Sequence, residues 1–264
     1  MVGGNDMFDF RNKGVLVAGG AGYLSTPSCL GLAQHGADVV IADINADAVK
    51  QRVTELRQAV PGGTVDGTVL DVADESSIKS AVRYAMEKMG RLDVLVNATY
   101  LSIGDLVEEL SAADLDKALH VNVTGSFLLA REASARMNNG GSIIFFSSMY
   151  GEIAPDPRNY PEHIKPNPME YGVSKAALEQ MVRYLAVYWA PRRIRVNGVA
   201  PGAFPHPQQQ AEDPAWMKLL ASRTPLGRVG RQDEVAGAVL YLASDEASYV
   251  TGHILNVDGG WTIW

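Results

Sequence analysis

The stretch Gly14-Val-Leu-Val-Ala-Gly-Gly-Ala-Gly-Tyr-Leu-Ser25, running on into Thr26-Pro-Ser-Cys-Leu-Gly-Leu-Ala-Gln34, decides the fold. Gly14–Ala18 is a short apolar run that reads as a strand buried on both faces. Glycines 19, 20 and 22 then turn the chain. From residue 26 the period is that of a helix, with Pro27 in the first turn, where a missing backbone donor costs nothing. The same grammar recurs along the chain. Residues 38–42, 64–70, 92–97, 142–147, 194–199 and 253–257 read as further buried strands. Between and after them, residues 26–35, 46–59, 75–89, 112–137, 171–190 and 232–243 have helical period and length. Gly36 is placed to stop the first helix and Asp74 to cap the third, while Ser111 with Asp114 resembles a capping box. Strict alternation of strand and helix requires right-handed crossovers, and therefore a seven-stranded parallel sheet with helices on both faces. The expectation is a single doubly wound α/β domain spanning residues 1–264. Two segments interrupt the rhythm, 151–170 with five prolines and 203–224. Both read as long loops at the carboxyl edge of the sheet, where such folds bind ligands.

Composition excludes several classes. With 47% hydrophobic and 20% charged residues, the 264-residue chain is ordinary globular material, which excludes disorder and fibrous repeats. Twenty-three basic against 30 acidic residues give a net charge of −7, so no basic field draws nucleic acid or anionic lipid. No run of about 18 apolar residues spans a bilayer, and residues 1–13 lack the apolar stretch of a secretory signal. The single cysteine, Cys29, forms no internal disulfide, and a reducing cytoplasm is the expected location. Five scattered histidines without ligand spacing argue for no metal.

The glycine turn implies a dinucleotide site. Gly19, Ala21, Gly22, Tyr23 and Leu24 let the backbone approach a pyrophosphate, and the helix amino end adds free N–H groups and a positive dipole. Asp43 ends the second strand, 24 positions after Gly19 (43 − 19), near the offset of an acid that binds a ribose diol. Neither Ile44 nor the turn offers a cation for a 2′-phosphate, so NAD is expected over NADP.

Tyr171-Gly-Val-Ser-Lys175 opens a predicted helix. Residues i and i+4 share a helix face, so the Lys175 ammonium can approach the Tyr171 phenol. Aided by the positive charge of an oxidised nicotinamide, it should lower the phenol pKa from near 10 and make Tyr171 a general acid/base.

From about Phe10 to Trp264 the chain resembles the short-chain dehydrogenase/reductase family. The glycine turn at Gly19, Asp71-Val72, Asn97-Ala98, Asn122, Ser148, Tyr171 with Lys175, and Pro201-Gly202 fall in that family's order. The resemblance implies a Rossmann-type fold, residues 10–150 mainly binding the dinucleotide, an active-site insertion at 151–170 and a substrate lid loop at 203–224. It implies that Ser148 hydrogen-bonds the substrate oxygen, Tyr171 exchanges its proton and Lys175 also binds the nicotinamide ribose. Asn122 would hold a helix irregularity and a water linking Lys175 to solvent. Asp71 and Val72 would contact adenine, Asn97 and Ala98 the adenosine ribose, and Pro201 and Gly202 the nicotinamide. Ser147 is the weaker serine candidate, because the spacing to Gly151 selects Ser148.

Several positions depart from the family pattern. Tyr23 and Ser25 stand where the ordinary pattern has glycines, Tyr100 puts an aromatic beside the site, and Phe204 or backbone groups replace a carboxamide-binding threonine. Tyr171 follows Ser148 by 23 positions (171 − 148), more than is usual for the family, so residues 151–170 read as a stiff wall. Asp156, Arg158, His163 and Lys165 on that wall would read a polyhydroxylated or carboxylated substrate. The aromatic tail, Trp261 and Trp264, suggests a homo-oligomer, a tetramer or dimer. The leading expectation is an NAD(H)-dependent oxidoreductase of secondary alcohols and ketones, with a sugar, sugar acid or polyol as substrate. The alternatives are a 3-oxoacyl-thioester reductase and a non-catalytic dinucleotide-binding sensor.

Overall fold

The computed structural model describes residues 7–264; residues 1–6, part of the stretch read as lacking a secretory signal, lie outside the described residues. The strands are β1 (Gly14–Ala18), β2 (Asp38–Asp43), β3 (Val65–Val69), β4 (Val94–Asn97), β5 (Gly141–Phe146), β6 (Ile194–Pro201) and β7 (Ile254–Val257). They pair in the order β3-β2-β1-β4-β5-β6-β7, all parallel, so the order reverses between β1 and β4. Side chains alternate across each strand, which divides the core into two layers. Leu16, Val40, Leu95, Ile143 and Val196 point to one face. They pack there against α3 (Glu75–Met89), α5 (Ser126–Ser134) and α6 (Met169–Trp189). Val15, Val17, Ile41, Val96 and Ile144 point to the other. Their partners are α1 (Thr26–Gln34), α2 (Ala46–Ala59) and α9 (Glu234–Ala243). The doubly wound single domain expected from the sequence is the observed one.

Local chemistry sets the helix ends. Asp74 accepts the Ser76 N–H at 2.8 Å, and Asn45 caps α2 by accepting from Asp47 and Ala48. Ser111 accepts the Asp114 N–H at 3.1 Å while its hydroxyl donates to the Asp114 carboxylate, a local variant of the expected capping box.

Two sequence readings need correction. The stretch 112–137 is not one regular helix: α4 (Ala112–Leu119) passes through a π-helical segment, His120–Gly125, into α5. Periodicity alone does not reveal one inserted residue per turn. The segment 203–224, read as a loop, contains α7 (Pro207–Glu212) and α8 (Pro214–Ser222). Its prolines look like breakers, but Pro207 and Pro214 each occupy a first helical turn, and Asp213 caps α8 by accepting the Trp216 N–H at 2.9 Å. Residues 152–168 do lack an α-helix, with only a 3-10 turn at Pro157–Asn159.

Candidate active site

The turn after β1 is seated on the neighbouring strands. Gly19 and Gly20 donate their N–H groups to the Ala42 carbonyl at 2.8 and 3.2 Å. Gly19 has φ +71°, and a Cβ there would lie 2.7 Å from the Ala98 carbonyl, so the position excludes other residues on both counts. Ser25, in place of a family glycine, is buried and donates its hydroxyl to the carbonyls of Gly19 and Gly22. It closes by hydrogen bonding a turn that glycine would leave to packing alone. Tyr23 reaches across to the segment after β6: its hydroxyl donates to the Pro205 carbonyl at 3.4 Å and its ring lies 4.1 Å from that of His206. The Gln232 amide donates to the Tyr23 carbonyl, fixing the backbone of the same residue.

Beyond the turn, Asp43 ends β2 next to the Ala42 carbonyl that anchors Gly19, and its carboxylate accepts the Asn45 N–H at 3.2 Å. Ile44 is exposed. Asp71 accepts the Ala73 N–H at 2.9 Å. Val72 is buried against the π segment, where a Cβ on Gly125 would lie 2.4 Å from its carbonyl oxygen. Asn97, buried at the end of β4, donates to the Ser126 hydroxyl at 2.9 Å and accepts from the Thr99 hydroxyl at 2.8 Å.

Asn122 lies fully buried in the π segment. Its carbonyl accepts the Leu101 N–H at 2.7 Å, and its amide donates to the Leu101 carbonyl at 2.8 Å and to the Ser174 hydroxyl at 3.1 Å. One side chain thereby joins the segment after β4 to α6. Helix α6 begins two residues before Tyr171, so Tyr171 and Lys175 stand on successive turns facing the end of β5. Lys175 is buried and donates to the Phe146 carbonyl at 2.7 Å, with its ammonium 5.4 Å from the Tyr171 ring centre and 5.8 Å from that of Tyr100. The Ser148 hydroxyl accepts the Tyr150 N–H at 3.2 Å and lies near enough to the Tyr171 phenol to act on its pKa, whereas the Ser147 hydroxyl donates to the Glu179 carboxylate at 2.9 Å. The two serines are therefore engaged differently.

The electrostatics correct one expectation. Burial pushes the Tyr171 phenol up to about 12, against a lowering influence of the Ser148 hydrogen bond, and burial pulls the Lys175 ammonium down to about 8. The phenol is thus raised, where the i, i+4 spacing with the nicotinamide charge read it as lowered, because its burial dominates.

A cavity of about 730 Å³ runs from the glycine turn to these side chains. Gly19, Gly22, Tyr23, Leu24 and Ala98 line one end, and Tyr171, Lys175, Pro201, Gly202 and Phe204 follow. Ala21, Asp43, Ile44, Asp71, Val72, Asn97, Asn122 and Ser148 lie outside its lining. Of the four charged residues singled out on the insertion, only Lys165 lines the cavity. Arg158 forks onto Asp156 at 2.8–3.1 Å, and His163 is 2.9 Å from Asp213. The far wall also uses Tyr150, Tyr160 and Trp216, which no motif marks. Glu170 was missed as well: fully buried, it accepts the N–H groups of Ile103 and Gly104, yet an acid in a first helical turn is too ordinary to attract notice. The cavity that runs from Gly19 and Gly22 to Lys175 and Tyr171 is of a size to take a dinucleotide, with the glycine turn at one end and the two polar side chains further along it.

Comparison with known proteins agrees with this geometry. The family model described as enoyl-(acyl carrier protein) reductase matches residues 28–262. The chain is 36% identical over 255 residues to a 3-oxoacyl-[acyl-carrier-protein] reductase of Thermotoga maritima, covering 96% of this chain and 99% of that one. It is 36% identical over 264 residues to a glucose 1-dehydrogenase of Gluconobacter oxydans, covering 97% and 94%. Among solved structures, a gluconate 5-dehydrogenase from Burkholderia cenocepacia in complex with NADP and tartrate superposes with a TM-score of 0.85 at 30% identity, covering 97% and 98%. No helix of the described residues is long and apolar enough to cross a membrane. With sequence and architecture matched over nearly the whole length of these relatives, the chain belongs to the short-chain dehydrogenase/reductase family.

Proposed function

We propose that this oxidoreductase of alcohols and ketones moves hydride between NAD(H) and a secondary carbinol carbon, with Tyr171 exchanging the proton. The observation that carries this reading is the cavity itself, which joins the glycine turn to Tyr171 and Lys175. When bound, the nicotinamide supplies the hydride donor or acceptor and, oxidised, a positive charge beside the phenol. Tyr171 Oη takes the hydroxyl proton in oxidation and returns it in reduction. The Ser148 hydroxyl orients the substrate oxygen, and Lys175 holds its charge beside the phenol and binds the nicotinamide ribose. Asn122 fixes the helix irregularity behind them. Gly19, Ala21, Gly22, Tyr23 and Leu24 cradle the pyrophosphate. Asp71, Val72, Asn97 and Ala98 border the adenosine, and Pro201, Gly202 and Phe204 the nicotinamide.

Asp43 supports NAD over NADP, since a 2′-phosphate beside its carboxylate would meet like charge. The NADP in the Burkholderia relative belongs to that protein. A sugar, sugar acid or polyol is the favoured substrate, in keeping with the two sugar-related relatives. The similarity to a 3-oxoacyl reductase favours a thioester as the second reading. We assign the protein to a homo-oligomer through an exposed apolar face that includes Val173, Tyr184, Val187 and Tyr188 of α6. Trp264 is exposed while Trp261 is buried, so the tail contributes one ring to such a contact. The single thiol, Cys29, supports a cytoplasmic location.

The test is a fluorescence titration with NADH and NADPH, followed by turnover of a carbonyl and polyol panel by wild type and Tyr171→Phe. NADH should bind more tightly, Asp43→Ala should narrow the difference, and Tyr171→Phe should abolish turnover. Failure of NADH to bind overturns the reading. Binding without turnover, unaltered by Tyr171→Phe, favours the sensor.

A further inference from the structure

With Tyr150 just before it, the insertion brings Tyr160, Lys165 and Asn167 to the cavity that holds Tyr171, and no carboxylate with them. Among the described residues lining the cavity there is no aspartate or glutamate, although the protein carries a net charge of −7. The charges of the insertion and its neighbours are largely spent on one another: Asp156 with Arg158 and Arg223, His163 with Asp213. Lys165, itself exposed, alone of the four has no ion pair or hydrogen bond with a described residue, and it lines the cavity.

Its surroundings are fixed and complement it. Pro166 and Pro168 restrict the backbone of Lys165 and Asn167 to extended conformations, and the Ile164 N–H donates to the Pro161 carbonyl at 2.8 Å. The Tyr150 and Tyr160 hydroxyls are 2.6 Å apart, and the Asn167 amide donates to the Tyr160 oxygen at 3.0 Å. Two phenols sharing one mutual hydrogen bond have a second O–H to donate elsewhere. The Trp216 N–H is taken up by the Asn159 carbonyl at 2.9 Å, so its ring presents only an apolar surface. Ile164, Met149 and Leu220 add to that surface.

We propose that the substrate of this oxidoreductase is a hydroxy acid or its oxo acid, whose carboxylate is bound by Lys165 with the Tyr150–Tyr160 pair and Asn167. This rests on the oxidoreductase reading and narrows it. A single unpaired ammonium matches one carboxylate charge, whereas a phosphate monoester would bring up to two. Lys165 is a specificity residue; it takes no part in the proton or hydride transfer.

The test compares hydroxy acids and sugar acids, each beside its methyl ester or amide, with saturating NAD, in wild type, Lys165→Met, Lys165→Arg and Tyr171→Phe. Wild type should favour the acids by roughly tenfold or more in kcat/KM, as expected for a hydrogen bond to a charged group. Lys165→Met should raise KM for the acids by a similar factor, leave kcat and the esters nearly unchanged, and leave the NADH dissociation constant as it was. Lys165→Arg should restore most of the preference. A wild type that favours the neutral partners, treats both alike or acts on none of the acids overturns the inference, as does a Lys165→Met loss shared equally by acids and esters. If Lys165→Met changes nothing while Tyr171→Phe abolishes turnover, the carboxylate inference falls and the oxidoreductase reading stands. An indifferent Tyr171→Phe removes both.

Discussion

The Glu170 carboxylate, one residue before Tyr171, accepts the backbone N–H groups of Ile103 and Gly104 at 3.0 and 3.2 Å. Asn122 grips Leu101 in the same segment, so the chain after β4 is held from two sides against the first turns of α6. Removing the carboxylate leaves two amides without their acceptor at a cost of roughly 1–3 kcal/mol. Glu170→Ala should therefore lower Tm by several degrees and reduce kcat with little change in NADH affinity. Glu170→Gln keeps an acceptor and should restore most of both, as calorimetry and steady-state kinetics would show. A Glu170→Ala enzyme with unaltered kcat would reduce Glu170 to a structural role.

Lys175 should trade stability for function. Its ammonium is buried and drawn down to about 8 from an ordinary value of 10.5, so the folded state is penalised while the group must stay charged. The stability contribution is present above pH 10.5 and is lost as pH falls through 8, because between those values the unfolded chain binds more protons. Lys175→Met should be inactive and, at pH 7, more stable than wild type by roughly 1–3 kcal/mol, the bond to the Phe146 carbonyl offsetting part of the gain. Urea denaturation at a series of pH values should show the gap closing between pH 8 and 10.5. A constant gap would contradict this account.

The two serines after β5 should separate cleanly. Ser148→Ala removes the hydroxyl beside the Tyr171 phenol and should lower kcat about 10²–10³-fold, the usual consequence of losing a donor to the reacting oxygen. Ser147→Ala removes the donor to Glu179, whose carboxyl burial already raises above its usual range. It should cost stability and leave kcat within about threefold. The reverse pattern would exchange their roles.

Ser25 offers a test of the altered glycine turn. Ser25→Ala loses the hydroxyl that ties the Gly19 and Gly22 carbonyls and should destabilise the protein by about 1 kcal/mol, with a weaker NADH complex in fluorescence titration. Equal NADH affinity in the variant would show that the turn keeps its shape without that hydroxyl.

How much of this was legible in the sequence depends on the distance over which each feature is determined. β1, α2 and α3 could be read to the residue, because their apolar periods and caps are local signals. The π segment could not be read from the period; the family resemblance alone put an irregularity at Asn122, where Asn122 bonds Leu101 and Gly125 packs on Val72 across the fold. Helices α7 and α8 were hidden by prolines that serve equally as breakers and as first-turn residues. Tyr171 and Lys175 stood out by spacing, but the sign of the phenol shift depends on burial, which spacing does not encode. Tyr150, Tyr160 and Trp216 join the site only because the insertion folds back against α8.

The tilted contact of the Tyr23 ring with His206 and its bond to the Pro205 carbonyl tie the glycine turn to the start of α7, so nucleotide end and substrate end share one chamber under a common roof. The expected kinetics are compulsory order, nucleotide first on and last off, with reduced nucleotide a competitive inhibitor against oxidised nucleotide and a mixed inhibitor against the alcohol.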